Sequence, residues 1–166
     1  MKTFLHVVPV VAAAACGTAY AAAQPADRIP VPVIRLAQDA AAFSAYSGFG
    51  DSLRTVVRDS TLWRQVWERL NQPFVPRPKL PNVDFEREMV VVAALGIRHT
   101  AGYSVVIEGA DRDSSSIEVA VRRTSPAAGC PVEAVVTQPV DVARIPRSER
   151  AIRFRERSVV TSCASP

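Results

Sequence analysis

Side chains that could carry acid–base chemistry are few in this sequence. Beyond the N-terminal segment, histidine occurs once, at His99, just after an apolar run that ends at a glycine. Asp84, Glu86 and Glu88 alternate before the same run, and in an extended segment this spacing sets their carboxylates on one side. A hydrolase that uses carboxylates could draw on Asp84 and Glu86, with His99 as a general base. No serine elbow, phosphate loop or EF-hand spacing accompanies them, and we therefore predict a protein that is not an enzyme.

The cysteines indicate an oxidising compartment. Cys16 lies in the N-terminal apolar segment, so its removal or acylation leaves Cys130 and Cys163 as a pair. We predict a disulfide between these two residues. It would close a loop of about 34 residues, worth about 3–4 kcal/mol in the chain-entropy description. A metal site is the weaker interpretation because only His99 could complete its ligands, and we expect neither metal nor cofactor.

The first residues carry the features of a secretory signal peptide. Lys2 supplies a positive charge, an apolar run spans residues 4–15, and Ala-x-Ala sites follow at 19–21 and 21–23. The run is too short to span a bilayer comfortably. We predict cleavage after Ala23 and export to the periplasm or the extracellular space. Alternatively, Cys16 is a candidate lipidation site that would anchor the protein to the cell envelope.

The charge distribution argues against a nucleic-acid partner. Removal of residues 1–23 leaves 143 of the 166 residues, the length of one ordinary domain. Nearly all of the remaining basic side chains are arginines, and they are spread along the chain among acidic residues. A nucleic-acid-binding protein shows a clustered basic patch instead. We also expect membrane contact only if Cys16 is lipidated.

Hydrophobic patterning divides the chain into a signal peptide (1–23), a flexible lead-in (24–50) and a β-rich domain (51–166). The lead-in contains a candidate short edge strand at 31–36, because Pro32 cannot donate to a central ladder. The continuous apolar run 89–95 predicts a central strand covered on both faces. Further strands are predicted at 52–58, 103–108, 117–122, 132–136, 140–145 and 150–157, the last at a sheet edge with its arginines outward.

One helix is predicted between about residues 60 and 70. Asp59 or Ser60 can cap it, and an apolar stripe follows at helical spacing, formed by Trp63, Val66, Trp67 and Leu70. We interpret this stripe as a packing face rather than a recognition surface. Four prolines between positions 73 and 81 predict a stiff loop. The fold class is therefore α+β, a mostly antiparallel β-sheet with one principal helix packed against it.

Several motifs resemble, in order and spacing, the PrcB-like family of protease-complex subunits, and specifically the C-terminal domain of PrcB. They run from about residue 54 to residue 154 and include Arg58-Asp59, Val83-Asp84-Phe85, Met89-Val90-Val91-Val92, Thr100-Ala101-Gly102-Tyr103, Thr137-Gln138-Pro139 and Val142-Ala143-Arg144-Ile145-Pro146. The family usually has Thr-Gly-Gly-Tyr where this chain has an alanine at position 101. Its aromatic residue after the Thr-x-Pro step is replaced here by Val140.

The resemblance implies an accessory role, because the family's namesake is an exported subunit that stabilises a surface protease. The implied partner is another exported protein, such as a protease, and no catalytic residues carry over. The candidate contact loops are 96–103 and 137–139, with the binding residues Thr100, Gly102, Tyr103, Thr137, Gln138 and Pro139. The same loops also have a purely structural interpretation. A carboxylate-dependent envelope hydrolase and a small-molecule or cell-wall binding module stay open as alternatives.

Overall fold

The computed structural model describes residues 28–36, 47–72 and 74–163. The predicted signal peptide, with its candidate lipidation site Cys16, lies outside the described residues. The described strands are β1 (Ile29–Val31), β2 (Ile34–Arg35), β3 (Ser52–Val57), β4 (Glu88–Leu95), β5 (Ser104–Arg112), β6 (Ser116–Pro126), β7 (Val140–Pro146) and β8 (Ala151–Thr161). The helix α1 is Ser60–Leu70, which is too short to cross a membrane.

The strands form two four-stranded sheets rather than the predicted single sheet. The first sheet has the order β1-β5-β6-β8, and the second has the order β2-β7-β4-β3. Every pair is antiparallel except β6 and β8, which run parallel. The sheets pack face to face, and α1 covers the outer face of the second sheet. The described fold is therefore mostly β, and the α+β class fits it only loosely.

Strand β4 contributes to both hydrophobic cores. Alternate side chains face the first sheet, namely Met89, Val91, Ala93 and Leu95. The residues between them, Val90, Val92 and Ala94, face α1. None of the seven is more than 4% exposed. Because side chains alternate across a strand, two covered faces require an uninterrupted apolar run, and the predicted central strand is confirmed.

The tryptophan stripe packs α1 onto the second sheet. Asp59 is the N-cap, and the buried residues of the helix are the predicted four, Trp63, Val66, Trp67 and Leu70. Both indole N–H groups donate 3.1 Å hydrogen bonds to the proline-rich loop, Trp63 to the Pro81 carbonyl and Trp67 to the Pro78 carbonyl. The loop therefore follows the helix, and the interpretation of the stripe as a packing face is confirmed.

Two side chains form hydrogen bonds with the backbone of β5 at the point where its pairing with β1 ends. The chain crosses at Pro32 and continues as β2, which pairs with β7 in the second sheet. Beyond this crossing, the N–H of Ile107 donates to Asp141 Oδ2 at 2.7 Å, and its carbonyl accepts from Arg35 Nη2 at 3.0 Å. Burial raises the pKa of the Asp141 carboxyl, while the Ile107 N–H and the charge of Arg35 oppose that rise. This network joins the two sheets along one flank.

An ion pair joins the sheets along the opposite flank. Arg54 of β3 lies 2.8 Å from a carboxylate oxygen of Glu156 in β8, and Arg123 of β6 lies 3.0 Å from the other oxygen. On the outer face of β8, Arg155 pairs with Glu118 and Arg157 with Glu108. The predicted edge strand is confirmed and extends to Thr161. Its charged row discourages pairing with other edges.

Two predicted elements differ in the structure. The prediction of a strand at 132–136 is wrong, because these residues cross the end of the sandwich and none of the described strands pairs with them. Only Thr137, just after them, makes an isolated bridge. The edge strand predicted at 31–36 is present as two short strands, since the chain changes sheets at Pro32. Within the predicted lead-in, β1 and β2 each pair with a strand of the domain.

We expect Asp141→Ala to lower the free energy of unfolding by about 2–3 kcal/mol, because it leaves the buried N–H of Ile107 without an acceptor. Asp141→Asn keeps an acceptor oxygen and should lose about 1 kcal/mol. Asp111→Ala is a matched control on the surface of β5 and should change stability by less than about 0.5 kcal/mol. Urea unfolding of the oxidised protein measures all three. Equal stability of the alanine and asparagine variants at position 141 would contradict this role.

Glu108 should make stability sensitive to acid. Hydrogen bonds from Arg157 (2.7 Å) and Arg122 (2.8 Å) lower its pKa from an ordinary value of 4.5 to about 2. Because the folded pKa is depressed, the contribution is present above pH 4.5 and is lost as the pH falls towards 2.

Between pH 5 and pH 2.5 we expect the stability of Glu108→Gln to fall by less than that of the wild-type protein. Solvent screening limits the difference to about 1 kcal/mol. Urea unfolding at the two pH values measures it. Equal losses in the two proteins would show that this ion pair does not contribute.

Candidate functional site

The two candidate loops meet at one end of the sandwich. Arg98 and Thr137 exchange both of their backbone hydrogen bonds at 2.8 Å. The Thr137 hydroxyl donates to the carbonyl of Thr100 at 3.3 Å, and the N–H of Ala101 donates to the carbonyl of Glu133 at 3.0 Å. These four contacts hold residues 96–103 against residues 130–139, and we call the two segments the clasped loops.

Three of the six candidate binding residues are held by contacts within the fold. Thr137 is 9% exposed and forms the bridge. The Gln138 side-chain oxygen accepts from the N–H of Gly48 at 3.1 Å, and the Pro139 carbonyl accepts from the N–H of Leu95 at 2.8 Å. These three residues therefore hold the end of the second clasped loop in position.

The other three candidates are Thr100, Gly102 and Tyr103, and they form the connection into β5. Gly102 has a φ of 90°, and a Cβ there would lie 3.3 Å from the ring of Pro126, so the turn requires glycine. Tyr103 packs partly buried against the core between the sheets, and the Arg98 guanidinium lies 5.5 Å from its ring centroid. Thr100 contributes its carbonyl to the clasp.

Sequence reasoning missed the exposed apolar side chains of the clasped loops. Ile97 is 43% exposed, Val132 is 38% exposed and Val136 is 49% exposed. Ile97 and Val136 directly precede the bridged residues Arg98 and Thr137, so they flank the bridge. Ile97 follows the glycine that ends β4, and this position could have indicated that it lies outside the covered run. Val132 and Val136 gave no such signal, because their pattern predicted a strand.

A cleft of about 200 Å³ opens beside Tyr103. Leu95 contributes an apolar wall, and Arg98 and Arg123 contribute guanidinium groups. Arg123 is paired with Glu156 at 3.0 Å, whereas Arg98 has no carboxylate partner among the described residues. The cleft therefore offers one unpaired cation next to an aromatic ring, which suits a single anionic or polar group of a partner.

The carboxylate-dependent site is not assembled. Asp84 accepts a 3.1 Å hydrogen bond from the N–H of Glu86 in the turn that precedes β4, whereas His99 lies beyond the other end of that strand. An extended strand of this length separates its two ends by more than roughly 20 Å. The candidate residues of the alternative carboxylate-dependent hydrolase, Asp84, Glu86 and His99, are therefore not brought together in one site. The part of the chain that the structure describes also lacks any cluster of three or more metal-binding side chains.

The predicted disulfide is confirmed, and it involves the first residue of the second clasped loop. Cys130 and Cys163 are joined, with their Cα atoms 5.1 Å apart. Near the disulfide, the N–H of Ala127 donates to the carbonyl of Thr161 at 3.0 Å. The start of the loop is thereby tied to the end of β8.

Loss of the disulfide should loosen the clasped loops before it unfolds the sandwich. We expect the double variant Cys130→Ser/Cys163→Ser to be less stable by about 3 kcal/mol, from the greater freedom of its unfolded chain. The amides of Ala101 and Thr137 should exchange with solvent faster than in the oxidised protein, because local opening becomes easier. Hydrogen exchange at pH 7 measures this, with β4 as the internal reference. Unchanged protection at both amides relative to β4 would contradict the anchoring role.

Comparison with known proteins gives a family match over the middle of the chain. A family model described as PrcB C-terminal matches residues 89–146. The matched segment begins in β4, passes through β5, β6 and both clasped loops, and ends with β7. No curated protein and no solved structure matches this chain. The resemblance predicted from the motifs is therefore confirmed over residues 89–146, a segment shorter than half of the chain.

Proposed function

We propose that this chain is an exported, non-catalytic accessory subunit that binds another exported protein of a protease complex through its clasped loops. The observation that carries the proposal is the PrcB C-terminal match, which includes both loops. The resemblance implies an association with a protease complex.

The chemistry of the loop surface supports a protein partner. Three aliphatic side chains of the clasped loops are more than a third exposed, namely Ile97, Val132 and Val136. Grouped exposed apolar residues are typical of surfaces that another protein covers. Arg98 follows Ile97 in the chain and lies over the Tyr103 ring, and arginine is common in the central contacts of interfaces. The cleft beside Tyr103 provides a recess for one side chain of the partner.

The rigidity of the loops also supports this role. The Arg98–Thr137 bridge, the contact from Ala101 to Glu133 and the disulfide hold them in one arrangement. A surface that is already ordered loses less conformational entropy on binding, so more of its contact energy contributes to affinity. Binding residues are frequently placed on loops that a rigid scaffold positions.

Export has two independent supports. The first 23 residues have the charge, apolar run and small-residue sites of a signal peptide. The disulfide between Cys130 and Cys163 suits an oxidising compartment such as the periplasm or the extracellular space. Anchoring through a lipidated Cys16 is compatible with both.

The test is a cross-linked pull-down of the tagged chain from its native envelope, read by mass spectrometry. The wild-type chain is compared with Ile97→Asp/Val136→Asp and with Leu62→Asp. Leu62 is a matched control, because it is 37% exposed but lies in the first turn of α1, where an acidic residue is tolerated.

We expect the wild-type chain and the Leu62 variant to recover an exported protease or a subunit of its complex. The double variant should recover at least about tenfold less, since it places two charges in an apolar contact. Circular dichroism confirms that all three proteins are folded. Equal recovery by the double variant would refute the clasped loops as the contact surface, and recovery of no protease component by the wild-type chain would refute the proposed role.

A further inference from the structure

A second cleft lies at the opposite end of the sandwich from the clasped loops. It has a volume of about 270 Å³ and lies where β1 crosses towards β2, where β5 turns into β6 and where β7 ends. Its end of the second sheet is the one where Glu88 pairs with Pro146, whereas the clasped loops follow the other end of β4. The two sites therefore lie at opposite ends of the second sheet.

The wall of this cleft is apolar and rigid. Val31 and the buried Ile117 line it, together with three prolines, Pro30, Pro32 and Pro146. Proline has a fixed φ angle and loses little side-chain freedom, so this wall is formed before a ligand arrives. An apolar group that enters the cleft gains burial without ordering its surroundings.

The rim of the cleft is cationic. The Arg112 guanidinium has neither a hydrogen-bond nor an ion-pair partner among the described residues, although its backbone lies in the β5 ladder. Among the described residues, the Arg150 guanidinium donates only to the Ser114 carbonyl, at 3.4 Å. Arg147 is the third guanidinium, and it is neutralised by Glu149 at 3.2 Å. The cleft thus presents two arginines that have no carboxylate partner among the described residues.

Hydrogen bonds fix the loop that carries part of this rim. The N–H of Arg147 donates to the Arg87 carbonyl at 2.7 Å, and its guanidinium donates to the Phe85 carbonyl at 2.8 Å. The N–H of Arg150 donates to the Ser148 hydroxyl at 3.1 Å. Loop 147–150 is therefore held against the start of β4, and this keeps Arg150 at the mouth of the cleft.

The shape and charge of the cleft identify the ligand class. Guanidinium groups bind carboxylates with paired, directional hydrogen bonds. The cleft is smaller than the roughly 300–1,000 Å³ of a site for a drug-sized ligand, so it accommodates a terminal group rather than a long segment. An apolar wall beside two cations matches an end group that has a carboxylate and an aliphatic side chain on neighbouring atoms. The C-terminal residue of a polypeptide has this arrangement.

We propose that this cleft binds the C-terminal carboxylate of a polypeptide, with Arg112 and Arg150 as its cations, and the apolar side chain of the last residue against Val31 and Ile117. This inference goes beyond the accessory role proposed above, because it adds a second contact site at the other end of the molecule. A chain held at both ends could bridge two segments of a complex.

The experiment is an NMR titration of the ¹⁵N-labelled oxidised chain with N-acetyl-leucine, which has an aliphatic side chain and a free terminal carboxylate. N-acetyl-leucinamide is the matched probe without the charge. N-acetyl-glutamic acid α-amide places its carboxylate on the side chain instead of the terminus. The variants are Arg112→Gln and Arg150→Gln, with Arg64→Gln on α1 as a control that removes an exposed arginine outside the cleft.

We expect N-acetyl-leucine to shift the amides of Ile117 and Ser148 in a saturable way, and to bind about tenfold more weakly to each cleft variant but equally to Arg64→Gln. The amide probe should produce no saturable shift. Equal binding of the two leucine probes, or unchanged binding to both cleft variants, would overturn the site. Equal binding of the glutamic acid probe would overturn the assignment to a chain terminus. Equal melting temperatures of the variants and the wild-type protein would show that weaker binding is not a folding defect. We expect them to be equal, because neither arginine has a carboxylate partner in the described fold.

Discussion

Strand β4 must bury both of its faces, and the arrangement of the other elements satisfies that requirement. A run of seven apolar residues leaves this strand no face that tolerates water. The first sheet covers one face, and α1 covers the other through its two tryptophans. The proline-rich loop then satisfies the indole N–H groups that this packing buries. One strand thus organises three layers, and each neighbouring layer needs only one apolar face of its own.

Polar side chains complete the sandwich at its two flanks, where backbone pairing stops. On one flank, Asp141 and Arg35 take the place of a strand partner for Ile107, at the point where the chain changes sheets. On the other flank, Glu156 receives Arg54 from one sheet and Arg123 from the other. A buried backbone group without a partner costs free energy, so these side-chain contacts contribute to the stability of the fold. Because the flanks are closed in this way, the two ends of the sandwich remain for loops and clefts.

The two ends offer surfaces of different character. The clasped loops present exposed aliphatic side chains and a cleft with Arg98 beside Tyr103, and a disulfide anchors the second loop. The opposite cleft presents two arginines above a proline-rich wall. Both surfaces rest on rigid strands, and in both the backbone is held by internal hydrogen bonds. A small protein can in this way present two different surfaces at a constant separation.

Local patterns in the sequence determined those elements whose burial follows from the spacing of residues within a short segment. The apolar run predicted the doubly covered β4, the spacing of Trp63 and Trp67 predicted the packing face of α1, and the count of cysteines predicted their bridge. The tertiary structure alone decided the rest, including the division into two sheets, the parallel pairing of β8 with β6 and the absence of a strand at 132–136. It also decided that Ile97 and Val136 flank one bridge and that Arg112 and Arg150 share one cleft. The physical reason is that strand partners and surface neighbours are set by contacts between residues far apart in the chain, which no local periodicity records.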